Sequence, residues 1–183
     1  MSLSSFCRVA IAALALSGCA VRPSDAGEAK KPAYGKAESY PKAKPVTGKS
    51  DEFPIRKTDE EWKKQLTAAQ YYILRQQGTE RPFANKYFDN HDVGEYFCAA
   101  DHNLLFHSTS KFESGTGWPS FWAPATDDSV KVTGDNSAGM SRDEIVCAKC
   151  GGHLGHVFND GPAPTGLRYC MDSDAMIFEK AKK

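Results

Sequence analysis

The segment from Cys147 to Cys170, CAKCGGHLGHVFNDGPAPTGLRYC, admits few folds. Gly151, Gly152, Gly155, Gly161 and Gly166, with Pro162 and Pro164, rule out a long helix and predict short strands joined by tight turns. The segment opens on a Cys-x-x-Cys pair, passes through His153 and His156, and ends on Cys170, which has no cysteine partner nearby in sequence. A pair with metal-ligand or redox spacing, two imidazoles and a lone thiol are more than packing requires.

The rest of the body agrees with a mainly β fold. Glu95–Cys98, Leu104–Phe106, Glu144–Cys147, His156–Phe158 and Met176–Phe178 are short runs of strand formers separated by turn residues, the pattern of antiparallel sheets. Helix signals are confined to its start. Thr58 with Glu61 reads as a capping box, and Trp62, Leu66, Ala69 and Ile73 follow at helical spacing. Thr67 with Gln70 caps a second helix, for which Gly78 is the expected stop. Both helices are expected to be peripheral packing elements. No internal repeat or second domain is visible, so one domain over residues 51–183 is expected, and nothing calls for more than a monomer.

The 183-residue chain is formally neutral, but residues 20–50 hold seven Lys/Arg against three Asp/Glu while residues 51–183 hold 15 against 20. Neither part has a basic run interleaved with aromatics, which excludes a nucleic-acid-binding reading. Residues 20–50, rich in Ala, Lys, Pro and Gly, cannot bury enough apolar surface to offset their ordering entropy and are expected to be a flexible tether. Before them, Val9 to Leu16 is an apolar run too short for a membrane span, which needs about 20 residues, and suited to a secretory signal over residues 1–19. Its end, Leu16-Ser17-Gly18-Cys19, resembles a bacterial lipoprotein signal. That resemblance implies lipidation of Cys19, with Ala20 compatible with sorting to the outer membrane and a periplasmic position in the cell envelope.

Cys147 and Cys150 have zinc-ligand spacing, and Cys98 and Asp101 repeat it with a carboxylate in the last place. Two such turns supply four ligands to one tetrahedral zinc of structural type. A carboxylate is a harder donor than a thiolate, so lower affinity is expected than for four cysteines. Asp101 as a plain turn residue, or a Cys147–Cys150 disulfide, are the bland readings of the same spacing.

Four further pieces carry reactive groups: Ser114-Gly115-Thr116-Gly117-Trp118-Pro119-Ser120-Phe121, His153-Leu154-Gly155-His156, Phe158, and Arg168-Tyr169-Cys170. A cysteine nucleophile needs a lowered pKa, and a neighbouring histidine can protonate a leaving oxygen. By spacing alone, Cys170 reads equally as an inert core thiol and either histidine as a structural one. Together SGTGWPSFW, HLGHVF-x-DGP-x-PTG and RYC resemble the B-type methionine-R-sulfoxide reductases, from about Lys57 to Phe178 and including Gly78-Thr79-Glu80-Arg81-Pro82-Phe83 and Gly139-Met140.

The resemblance implies a fold of two antiparallel sheets with short peripheral helices. It implies Cys170 as nucleophile, His156 as the acid at the sulfoxide oxygen with His153 assisting, and no organic cofactor. Trp118 and Phe158 then shape the substrate pocket, and Arg168 favours the thiolate. Methionine leaves, and Cys170 is left as a sulfenic acid. Three positions depart from the family pattern. Thr116 stands where many members carry a resolving cysteine, which implies reduction by an external thioredoxin-like thiol protein. Asp101 stands in place of a metal-pair cysteine. Asp172 stands where Asn is usual, and a carboxylate there disfavours the Cys170 thiolate unless Asp172 is itself protonated. The competing readings are a thiol–disulfide oxidoreductase using Cys147 and Cys150, and a lipid-anchored metal-binding module without activity.

Overall fold

A computed structural model describes residues 40–45, 53–135 and 142–182. All of them fall within one unit, Tyr34–Lys183. The signal sequence, Cys19, most of the tether and the Gly139-Met140 pair lie outside the described residues.

The two helices form where their caps predict. In α1 (Asp59–Gln65) and α2 (Ala68–Gln76), the Thr58 and Thr67 hydroxyls accept from the amides of Glu61 and Gln70, whose side chains accept from the threonine amides in return. Such caps contribute about 1 kcal/mol each. The stop of α2 differs from expectation by one residue. Gln77, at φ +53, takes the left-handed position, and Gly78 follows it, where a Cβ would lie 2.2 Å from the exposed Tyr72 ring and turn that ring aside. Trp62, Leu66, Ile73 and Leu74 are buried, so both helices serve as packing elements. No helix among the described residues is long and apolar enough to cross a membrane.

Among the described residues ten strands make two sheets, and the body is mainly β. In chain order they are β1 (Lys44–Pro45), β2 (Gly94–Cys98), β3 (Leu104–His107), β4 (Lys111–Phe112), β5 (Ser120–Phe121), β6 (Val130–Asp135), β7 (Arg142–Cys147), β8 (His153–Phe158), β9 (Arg168–Met171) and β10 (Met176–Lys180). The larger sheet runs β1-β6-β7-β8-β9-β5-β4 and the smaller β10-β2-β3. Among the described residues all pairings are antiparallel except that of β1 with β6.

The sheets meet in an aromatic core. Phe106 of β3 stacks on Phe121 of β5 with centroids 4.3 Å apart, Tyr96 of β2 meets Phe121 edge-on at 4.9 Å, and Tyr169 of β9 lies 5.9 Å from Phe106. These four rings are fully buried, each contributing about 2–3 kcal/mol through burial. The core therefore anchors β5 and β9, the strands that carry Ser120 and Cys170. Residues 40–45, which the sequence places in the tether, lie along the sheet. Tyr40 packs edge-on against Trp122, and the Ala43 amide donates to the Tyr169 hydroxyl at 3.3 Å.

Candidate active site

Three neighbouring strands bring the reactive groups together. Across the larger sheet His156 of β8 pairs with Cys170 of β9, which pairs in turn with Ser120 of β5. Beside them opens a cavity of about 140 Å³ lined by Thr79, Trp118, His156, Phe158, Cys170 and Asp172, with Arg142.

His153 and His156 share a side only because β8 is irregular. Residues three apart on a regular strand face opposite ways. Here Ile145 pairs with Gly155 while the next residue, Val146, pairs with His153, so β8 carries one extra residue. Gly155, at φ +148, absorbs it, and the two imidazole centroids lie 5.4 Å apart.

Cys170 is half-buried, with Thr116 Oγ1 3.9 Å from its Sγ. The Thr116 hydroxyl bonds Ser114 Oγ at 2.8 Å, and Ser120 donates to the same Ser114 oxygen at 2.8 Å. Burial pushes the Cys170 thiol up, the Thr116 hydroxyl and the Arg168 guanidinium pull it back, and the Asp172 carboxylate adds to the push. Arg168 donates to both oxygens of Asp160, at 2.8 and 2.9 Å, and its guanidinium carbon sits 4.3 Å from the Phe158 ring centroid. It therefore also fixes one wall of the cavity.

The opposite wall is set by Glu80. Its carbonyl accepts the Trp118 indole N–H at 3.2 Å, and its amide donates to Asp172 Oδ1 at 3.0 Å. Its carboxylate accepts from the Ser173 and Asp174 amides. The Phe83 amide donates to the Gly117 carbonyl at 2.9 Å, which clamps the Trp118 loop to the Gly78–Phe83 turn.

The imidazoles are bound to different carboxylates. His156 Nε2 lies 2.9 Å from Asp135 Oδ2, which also accepts from Arg142 at 2.7 Å. Burial lowers His156, with Asp135 opposing. His153 Nδ1 lies 2.6 Å from Glu144 Oε1, and its Nε2 is 3.8 Å from Asp172 Oδ2. Burial pushes Asp172 up to about 7.

Of the residues singled out in the sequence, Cys170, His156, Trp118, Phe158 and Asp172 surround one cavity, His153 sits behind Asp172, and Arg168 backs Phe158. Asp135, Glu144 and Arg142 were not singled out, because only the pairing of β6, β7 and β8 brings them to the imidazoles. Glu80 lay inside a quoted motif, but its role depends on the contact with residues 172–174.

A second cluster joins the turn after β2 to the turn between β7 and β8. Ligand atoms of Cys98, Asp101, Cys147 and Cys150 all lie within 4.8 Å of one another. Cys98 and Cys150 sulfurs are 3.8 Å apart, and two thiolates on one tetrahedral ion at about 2.3 Å would stand about 3.8 Å apart. Asp101 Oδ2 is 3.3 Å from Cys147 Sγ, while Oδ1 accepts the Asn103 amide. The Ala100 amide points at Cys98 Sγ (3.4 Å) and Asn103 Nδ2 at Cys147 Sγ (3.6 Å), the donors that ligating thiolates take. The residues fit a metal ion. All four described cysteines are free thiols, and a turn and strand rather than a helix follow Cys150. The setting that lowers the attacking thiol of a thiol–disulfide oxidoreductase is therefore missing.

A family model, the SelR domain, matches residues 66–180. The chain is 56% identical over 128 residues to the peptide methionine sulfoxide reductase MsrB of Leptospira interrogans, covering 70% of this chain and 98% of the relative. It is 54% identical over 125 residues to that of Methanosarcina barkeri, covering 68% and 88%. It is 50% identical over 131 residues to that of Bradyrhizobium diazoefficiens, covering 72% and 94%.

Proposed function

We infer that this chain, which belongs to the SelR family of B-type peptide methionine sulfoxide reductases and reduces methionine R-sulfoxide to methionine, does so by attack of Cys170 on the sulfoxide sulfur. The observation that carries this reading is the register that seats a half-buried Cys170 thiol in a cavity between Trp118 and Phe158, beside His156. The Trp118 and Phe158 rings receive the substrate's S-methyl group, and the polar side, His156 with Asp172, receives its oxygen. The Cys170 thiolate forms a bond to the sulfoxide sulfur while the oxygen takes a proton. The hydroxyl then passes to the Cys170 sulfur and methionine leaves, so that thiolate, sulfoxide and one proton become sulfenic acid and thioether. Two external thiols return the sulfenic acid to the thiol, giving a disulfide and water. Thr116 presents a hydroxyl rather than a thiol 3.9 Å from Cys170 Sγ, which supports an external, thioredoxin-like reductant.

The metal is proposed to be zinc, held by Cys98, Asp101, Cys147 and Cys150, where it would tie two turns together without touching the reaction. The lipidated Cys19, the outer-membrane anchor and the tether are proposed from the sequence. They would hold a monomeric enzyme facing the periplasm, with oxidised envelope proteins as substrates. Cys19→Ser is expected to release the protein from the membrane fraction.

The test of the reaction is consumption of the separate R and S epimers of a methionine sulfoxide peptide with dithiothreitol as reductant. Loss of the R epimer alone, abolished by Cys170→Ser, is expected. Undiminished turnover by the serine variant would remove Cys170 from the mechanism.

A further inference from the structure

The two turns that carry the metal-type ligands are held in different ways. The first is tied to the interior. The Cys98 amide donates to the Asn103 carbonyl at 2.8 Å, the Ala99 amide to the Ala175 carbonyl at 2.9 Å, and Asn103 Nδ2 to the Ser129 carbonyl at 2.8 Å. The second, at residues 147–151, closes largely on itself. The Gly151 amide donates to the Cys147 carbonyl and the Cys147 amide to the Gly152 carbonyl, both at 2.9 Å, while the Ala148 amide reaches the Ser129 carbonyl at 3.3 Å. Its outer carbonyls are taken by residues far back in the chain. The Ile55 amide donates to the Lys149 carbonyl at 2.9 Å, and Arg75 donates to the Cys150 carbonyl at 3.1 Å.

Residues 53–57 are fastened at both ends. The Phe53 ring lies against Gly151, where a Cβ would stand 2.7 Å from it, and Lys131 of β6 is 5.0 Å from the ring centroid. Arg56 Nε donates back to the Phe53 carbonyl at 3.4 Å, and the segment ends on Thr58, the cap of α1. Lys57 and Arg75 each lie 5.0 Å from the centroid of the buried Trp62 ring. None of residues 53–57 lines the sulfoxide cavity, and all of them precede the stretch that the SelR family model matches.

Cys98 and Cys147 are fully buried and Cys150 nearly so, so an ion held by them leaves only when one turn opens. Asp101 is more exposed, but its departure alone still leaves three buried thiolates around the ion. A recess of about 260 Å³ between Phe53, Ile55, Trp62 and Arg75 reaches Cys150. The turn at 147–151 is therefore the one placed to open, and residues 53–57 lie across it.

We propose that residues 53–57, together with Arg75, form a strap that keeps Cys150 in its ligating position, so that loss of the metal requires the strap to lift. The proposal rests on the reading of Cys98, Asp101, Cys147 and Cys150 as zinc ligands. It offsets the weakness of that donor set. A carboxylate in place of a fourth thiolate lowers affinity, and a clasp on the outer face of a turn slows release without adding a ligand. The coupling runs both ways: a strap that retains the ion is itself held down by the ion.

The test loads the full chain with zinc and follows its release to a chelating dye. Ile55→Pro removes the amide hydrogen on the Lys149 carbonyl, and Phe53→Ser removes the ring on Gly151. Each should release zinc about tenfold faster than wild type. Single-turnover consumption of an R-sulfoxide peptide by the loaded variants should stay close to that of wild type. In the wild type, stripping the zinc should speed trypsin cleavage after Arg56 and Lys57 by a larger factor than after Lys180, which pairs at the end of β2 away from Cys98. This comparison needs no variant, so it decides even where Ile55→Pro fails to fold. Unchanged release from both variants, or equal acceleration at the two tryptic regions, would overturn the proposal. A chain that takes up no zinc would remove the metal reading and the strap together. A wild type that behaves as expected here and yet consumes no R-sulfoxide would leave the strap standing and remove the reaction.

Discussion

Gly155→Ala tests whether the irregular β8 is what assembles the site. A Cβ at this position would lie 2.1 Å from the Cys170 carbonyl oxygen and 3.0 Å from Met171 Cα, on a backbone at φ +148. The backbone conformation alone costs about 1–3 kcal/mol for a residue other than glycine. Relieving the contact requires β8 and β9 to part by about 1 Å, which weakens two ladder hydrogen bonds at about 1 kcal/mol each. The sum, about 3–5 kcal/mol, lies in the tail of single-residue effects. For a domain of this size it lowers Tm by about 10–15 °C. Because the displaced carbonyl is that of Cys170, the protein folded at low temperature should also lose about 10²-fold in kcat/KM. Circular-dichroism melts and R-sulfoxide turnover at 10 °C (roughly, well below the lowered Tm) measure both effects. Gly134→Ala is the control, since its Cβ meets nothing within 4 Å among the described residues. It should be neutral or slightly stabilising. A Gly155→Ala protein that melts within about 3 °C of wild type and turns over normally would refute the argument.

Thr116→Cys places a thiol where a hydroxyl now stands 3.9 Å from Cys170 Sγ. After one turnover, peptide mapping should find a disulfide between position 116 and Cys170, and a persistent sulfenic acid would show that the two cannot meet. In protein loaded with zinc, Asp101→Cys should slow release of the ion to a chelating dye, Asp101→Ala should speed it and lower Tm, and identical release from all three would exclude Asp101 as a ligand. Asp172 keeps its proton when folded up to about 7, against an ordinary value of 3.8. Its contribution is therefore full below the unfolded value and is lost as pH rises through the folded one, about 4 kcal/mol in all. Urea titrations should show the wild type losing this much more stability than Asp172→Asn between about pH 4 and 8, and parallel profiles would contradict the burial of a neutral carboxyl.

The sequence was most legible where local rules decide. Both capping boxes, the antiparallel runs and the Cys-x-x-Cys and Cys-x-x-Asp turns depend on residues close in the chain, and each appears where its spacing predicts. β6 and β9 were not foreseen, because Val130–Asp135 and Arg168–Met171 are held as strands by neighbours in the sheet. The same holds within the site. The chemistry-bearing residues were visible as residue types, but Asp135, Glu144 and Glu80 act through partners far away in sequence. Even the shared side of His153 and His156 depends on a slip in pairing with β7, which no spacing rule on β8 reveals.

The two residues of β1 close an exposed border of the larger sheet. Alone, β6 would present a row of free amides and carbonyls beside Lys131 and Val132, a ready template for any extended chain. β1 covers that row and offers a poor one in its place, since Pro45 has no amide hydrogen and Lys44 carries a charge held by Asp128 at 2.6 Å. At Lys131 and Val132, at least, an extended chain arriving from outside finds no ready ladder to join.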